Sequence, residues 1–202
     1  MPDPVIITAI PYAEDMNLGG AYNTFFEMLP EDAWGCILDH DVMFTTPYWH
    51  RQLTAAVLKE PEGSFGGMAS RIKCPYQLLD GGLHIKNHDI KYHRAIGEKL
   101  RLAKGDSLLD VTGFSRTPSG FLILLSKKTW RAIGGFPHGL HLLDKTIWMS
   151  VFRMGRRIFI IEGLYLYHWH RGNQEAYMEG PWVLHHTLPD GQEINRKPGT
   201  FQ

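Results

Sequence analysis

The chain has 202 residues, and its 21 Lys and Arg balance 21 Asp and Glu to a formal net charge of zero. At 44% hydrophobic and 21% charged it carries enough apolar material for one ordinary folded domain over residues 1–202, which excludes a disordered chain. Scattered basic residues without net charge exclude the basic face of a nonspecific nucleic-acid binder, so no nucleic-acid partner is expected.

Cys36 and Cys74 are the two cysteines. They have no CxxC spacing and read as buried small hydrophobes. The opening Met1-Pro2-Asp3-Pro4 lacks the basic and apolar segments of a signal peptide. No apolar run reaches the ~20 residues of a membrane span. A cytoplasmic protein with no membrane span is the expectation.

In chain order, Val5 to Ile10 is a continuous apolar run that predicts a buried strand, ended by Pro11. Residues 12 to 20 predict a loop. Ala21, Tyr22, Phe25, Phe26 and Leu29 then recur at helical spacing up to Pro30. Trp34 to Leu38 predicts a second buried strand, and Asp39-His40-Asp41 stands at its end. A helix follows, with Thr45 or Thr46 as cap and Trp49, Leu53 and Val57 on one face. Ser64 to Ile72 predicts a strand interrupted by Gly66 and Gly67. Residues 73 to 118 carry the weakest patterning, with a helix at Ile90 to Leu102.

Gly120 to Leu125 predicts a strand, and Ser126 caps a short helix that stops at Gly134-Gly135. Asp144 opens a helix with Ile147, Trp148, Val151 and Phe152 inward, ending at Gly155. Arg157 to Ile161 and Leu164 to His168 predict two more strands. Residues 172–202 read as a C-terminal tail or covering loop. Strands alternating with helices predict an α/β fold, a mixed and mostly parallel central sheet flanked by helices. Ligands of such sheets sit beyond the carboxyl ends of strands, which places Pro11-Tyr12 and Asp39-His40-Asp41 on one rim.

Two carboxylates leaving a buried strand are costly unless solvated, paired or metal-bound. Hard oxygen ligands suit Mn²⁺ or Mg²⁺, which in turn neutralise a diphosphate; a solvated turn is the alternative. In Tyr167-His168-Trp169-His170-Arg171, strand alternation puts His168 and His170 on one face, as metal ligands or as structural histidines. Arg171 suits a phosphate contact or a solvated surface. Asp144 suits a helix N-cap, a general base, or both. The glycine turn Gly19-Gly20 before Asn23 suits an anion site or an ordinary loop. His84, His88, His93, His185 and His186 show no metal spacing and read as surface or loop residues.

Taken in order, these segments resemble the GT-A glycosyltransferases, and their family 2-like branch in particular. The elements that carry the resemblance are the Val5–Tyr12 strand and loop, the Gly-x-x-x-Asn helix start at Gly19–Asn23, and the Cys36–Asp41 strand ending in Asp-x-Asp. The Ser119–Phe136 strand, helix and Gly-Gly-Phe unit, the Asp144–Gly155 helix and the Leu164–Arg171 strand complete the set.

The resemblance implies a nucleotide-sugar donor (a UDP- or GDP-sugar) and a sugar-bearing or hydroxyl acceptor. Pro11, Tyr12, Asn23, Asp39 and Arg171 would contact the donor. Asp41 would be the direct metal ligand, with His168, or secondly His170, as the late metal-binding histidine. Asp144 would be the base of an inverting transfer. The chain departs from that family in lacking the strand–helix section before the Gly-x-x-x-Asn helix, leaving Glu14 or Asp15 to contact the base. It also carries a single carboxylate, in Leu143-Asp144. A metallohydrolase or nucleotidyltransferase using the same Asp and His residues, or a non-enzymatic sugar-binding protein, are the alternatives.

Overall fold

The computed structural model describes residues 3–13, 15–140 and 142–169, together with the backbone of Leu184–Thr187 and Glu193–Arg196. Seven strands form one sheet: β1 (Ile6–Ala9), β2 (Trp34–Leu38), β3 (Val42–Phe44), β4 (Ser64–Ala69), β5 (Leu108–Asp110), β6 (Leu122–Ser126) and β7 (Ile158–His168). Their order is β1-β2-β6-β4-β7-β3, with β5 also paired to β7. Among the described residues five α-helices accompany them: α1 (Leu18–Met28), α2 (Trp49–Lys59), α3 (Ile90–Lys104), α4 (Lys127–Ala132) and α5 (Leu143–Arg153). The remaining described strands, β8 (Leu184–Thr187) and β9 (Glu193–Arg196), pair antiparallel with each other within the stretch expected as a tail or covering loop. Among the described residues no helix is long and apolar enough to cross a membrane.

The α/β class and the mixed sheet are as expected, but the sheet is not mostly parallel. Only β1–β2 and β4–β7 pair parallel; β2–β6, β4–β6, β3–β7 and β5–β7 pair antiparallel. β6 runs antiparallel between β2 and β4, and β3 and β5 run antiparallel to β7, reversals that apolar runs do not encode.

Strand alternation sorts the core into two layers. Trp34, Cys36, Leu122, Leu124, Phe159 and Ile161 face α2. Ile37, Ile123, Leu125, Ile158 and Ile160 face α1 and α5. This is the period-2 rule acting on strands buried on both sides. Both cysteines are buried and free, as expected.

Three expectations change. β1 is an edge strand rather than a buried one, with Val5, Ile7 and Ile10 all exposed. Phe152, expected inward on α5, is also exposed. The two strands expected over 157–168 are one strand, β7. Its register against β4 jumps from Gly67↔Ile161 to Met68↔Tyr165, so residues 162–164 bulge out of the ladder.

The helix starts follow local chemistry. Ser126 caps α4 by accepting from the Thr129 N–H, as expected. Thr45 and Thr46 do not cap α2: its N-cap is Tyr48, and the Thr45 hydroxyl instead donates to the Tyr165 carbonyl at 2.5 Å. Asp144 does not cap α5 either. That position belongs to Leu142, held left-handed at φ 58° without a side-chain cap, and Asp144 lies inside the first turn.

Helix α1 is fastened to the loop that precedes α5. Gly19 packs so closely on the Pro137 carbonyl that no Cβ fits there. The Asn23 side-chain oxygen accepts from Phe136 N (2.7 Å) and Trp130 Nε1 (3.0 Å), while its nitrogen donates to the Phe136 carbonyl (2.9 Å). Asn23→Ala leaves two donors without their acceptor and should lower stability by about 2–3 kcal/mol in urea unfolding. A loss under about 0.5 kcal/mol, the range of an ordinary surface change, would show that this fastening is dispensable.

Candidate active site

Strands β1, β2, β4 and β7 all point the same way, so their carboxyl ends share one rim. Pro11-Tyr12 and Asp39-His40-Asp41 lie on it together, as strand order predicts. The second segment is a strap. It leaves β2, crosses the rim and enters β3 on the far side of β7. Its start is held by the Asp39 N–H on the Phe121 carbonyl (3.1 Å), and its end by the Trp169 N–H on the Asp41 carbonyl (2.9 Å).

This crossing carries both carboxylates to the last residue of β7. His168 is 1% exposed. Its ring stacks on Phe121 at 5.2 Å, and its backbone N–H donates to Ser70 Oγ at 3.0 Å. Its Nε2 lies 3.3 Å from Asp41 Oδ1. One ligand atom each from Asp39, Asp41 and His168 falls within 4.8 Å of the others, a spacing that could hold a metal ion. Two carboxylates and one imidazole form a mixed, mainly hard donor set suited to a divalent cation such as Mn²⁺ or Mg²⁺.

The two carboxylates are tuned in opposite directions. Burial pushes Asp39 up to about 6, reinforced by the neighbouring Asp41 and Asp144 and opposed by His168. Burial also acts on Asp41, but the hydrogen bond and charge of His168 outweigh it and hold Asp41 below its ordinary value.

Asp144 joins this rim from α5. It lines a cavity of about 230 Å³ together with Asp39 and Tyr22. Gly120 makes its approach possible, since a Cβ there would stand 2.8 Å from that of Asp144. Tyr22 reads in sequence as one more apolar position of α1. Its phenol is 4% exposed, and burial, Asp39 and Asp144 together hold it in the protonated form. Only its hydroxyl, on an otherwise apolar helix face, distinguishes it from Phe25 and Phe26 in sequence.

The other candidates are placed differently. Tyr12 is 81% exposed and borders a separate open cleft of about 720 Å³ shared with Asp15, Asn17, Trp130 and His138. Asn23 borders it too, but its amide is engaged with the loop described above. The Gly19 N–H is taken by the Gly139 carbonyl and the Gly20 N–H by Asn17 Oδ1, so the glycine turn presents neither to an anion. His170 and Arg171, like Glu14, lie outside the described residues.

His84 and His93 are buried rather than at the surface. His84 bridges Asp80 (3.1 Å) and Tyr92 (2.8 Å), and His93 bridges Tyr165 and the Asn87 carbonyl (2.7 Å each). The chain matches no protein-family model and has no significant match among curated proteins.

The tuning of Asp39 has a measurable consequence. A carboxyl near 4 when unfolded and about 6 when folded stabilises the fold at low pH, and that contribution is lost as pH rises through about 6. Without metal at pH 7.5, Asp39→Asn should therefore unfold at a higher temperature than the parent, by about 1–3 kcal/mol of stability. The gain should fade as pH drops through 6 and vanish near 4. A gain independent of pH, read by thermal unfolding in EDTA, would mean that Asp39 is not carrying a buried charge.

Proposed function

We propose that this chain is a divalent-metal-dependent glycosyltransferase of the GT-A type, resembling the family 2-like branch and taking a UDP- or GDP-sugar donor. The observation that carries the reading is the convergence of Asp39, Asp41 and His168 from opposite ends of the chain onto one rim, with Asp144 in the adjoining cavity. Asp41 and His168 are the metal ligands, and Asp39 completes the set or faces the ribose. A cation bound there supplies charge neutralisation for the departing diphosphate.

The chain's own residues do the rest. Asp144 takes the proton from the acceptor hydroxyl as that oxygen bonds to the anomeric carbon. The bond from that carbon to the diphosphate oxygen breaks with its electron pair leaving on phosphate. Attack opposite the leaving group inverts the anomeric configuration. Tyr22 lines the same cavity as Asp39 and Asp144 and keeps its proton beside them. Tyr12, exposed at the end of β1, is available to a nucleotide base. Asp15, which lines the same cleft, suits the same role.

The metal dependence is open to direct test. UDP or GDP at ~100 times its dissociation constant should stabilise the protein by about 2.7 kcal/mol, and only with Mn²⁺ or Mg²⁺ present. Asp41→Ala and His168→Ala should each abolish that stabilisation while remaining folded by circular dichroism. Equal stabilisation in EDTA would reject the metal-bridged site. Metal-dependent phosphate release without a nucleotide donor would favour a hydrolase.

Catalysis by Asp144 is separable from its structural part. Its Oδ1 accepts from the Lys145 N–H at 2.7 Å, which an Asn oxygen can also do. Asp144→Asn should keep the fold and donor affinity while sugar transfer falls about 10²- to 10⁴-fold. Transfer within about threefold of the parent, less than 1 kcal/mol of barrier, would remove Asp144 from the chemistry.

A further inference from the structure

The cavity that holds Asp39 and Asp144 has a second character. Apart from Tyr22 and the Gly120 backbone, the rest of its lining is aliphatic. At about 230 Å³ it is smaller than the ~300–1,000 Å³ of ordinary ligand pockets, so it admits a small head group. Two of its leucines, Leu140 and Leu142, are 44% and 67% exposed. Single exposed leucines need no explanation. Here two of them border one cavity that also holds two carboxylates, Asp39 and Asp144.

The backbone adds to this. Leu142 stands at φ 58°, a left-handed conformation that L-residues other than Asn and Asp disfavour. Asn or Gly would make the same turn with less strain and less apolar surface in water. The chain instead keeps a leucine there, at the N-terminus of the helix that carries Asp144.

We infer that this cavity takes an amphiphilic acceptor: a hydroxyl-bearing head group reaches Asp144 while an adjoining alkyl chain lies on Leu140 and Leu142. The inference rests on the transferase reading above, because that reading makes the head group's hydroxyl the nucleophile. The carboxylates accept the hydroxyl hydrogens, and the leucines cover the apolar portion. A fully polar acceptor would leave both leucines against water.

Matched glycoside pairs test it on the full chain with Mn²⁺ and UDP. Methyl and hexyl β-glucosides, β-galactosides and N-acetyl-β-glucosaminides would be titrated by calorimetry or ligand-observed NMR. In at least one series the hexyl member should bind about tenfold tighter than the methyl member, as expected for burying roughly two methylenes. Leu140→Ser and Leu142→Ser should each bring that ratio towards one. A ratio near one in every series, a ratio unchanged in both variants, or no binding by any glycoside would overturn the inference. So would hexylamine binding more tightly than every hexyl glycoside, which would make the head group a cation. Loss of Mn²⁺-dependent stabilisation by UDP and GDP, with chain-length dependence intact, would instead reject the transferase reading alone.

Discussion

Two carboxylates held beside each other at the end of a buried strand are the constraint on which the rest of the rim depends. Like charges at this distance resist ionising together, and a third carboxylate, Asp144, shares a cavity with one of them. The structure resolves the conflict by splitting the pair. Asp41 is drawn down by the His168 imidazole, whereas Asp39 is pushed up by burial. Such a split persists only if the frame cannot relax. Phe121 stacked on the imidazole, Ser70 on the His168 backbone N–H, and the pairing of Val42 with His168 supply that rigidity.

Strand β7 is the part of the frame that makes this possible. It runs 11 residues and pairs with β4 on one side and with β5 and then β3 on the other. The bulge at 162–164 lets it change register between these partners. Helix α1, which carries Tyr22, is tied to the segment that leads to Asp144. Asn17 and Asn23 bind the loop over residues 136–139, and that loop leads into α5. A change in α1 is therefore felt at Asp144 without touching it.

The sequence carries part of this and hides part. Trp34 to Leu38 is apolar without interruption and then turns to Asp-His-Asp, so both the strand and its charged end are legible. His168 is legible as one of two candidates, because alternation puts it and His170 on one face and the resemblance alone prefers it. The edge position of β1 is not, because an apolar run gives propensity and not neighbours, and among the described residues β2 is its one partner strand. Nor is the start of α5: an aspartate before an amphipathic run is the usual cap, yet a left-handed leucine takes the place. His84 and His93 are hidden for another reason. Each is made tolerable in the interior by partners such as Asp80, Tyr92 and Tyr165, and only the folded chain brings those together. Tyr22 is hidden by its ring, which suits the core whether or not its hydroxyl has a task.

The strap across the rim also fixes when the rim can exist during folding. Asp41 lies in the first quarter of the chain and His168 at the end of β7, so their meeting closes a loop of more than a hundred residues. Contacts of such separation form late, after local helices and hairpins have shortened the path. The cluster therefore cannot assemble in a partly folded chain that has β2 but not β7. Any ligand that bridges Asp41 and His168 would fasten the beginning of the sheet to its end. It would thereby slow the opening of the whole sheet rather than of one loop, and occupancy of the rim would report on completion of the fold.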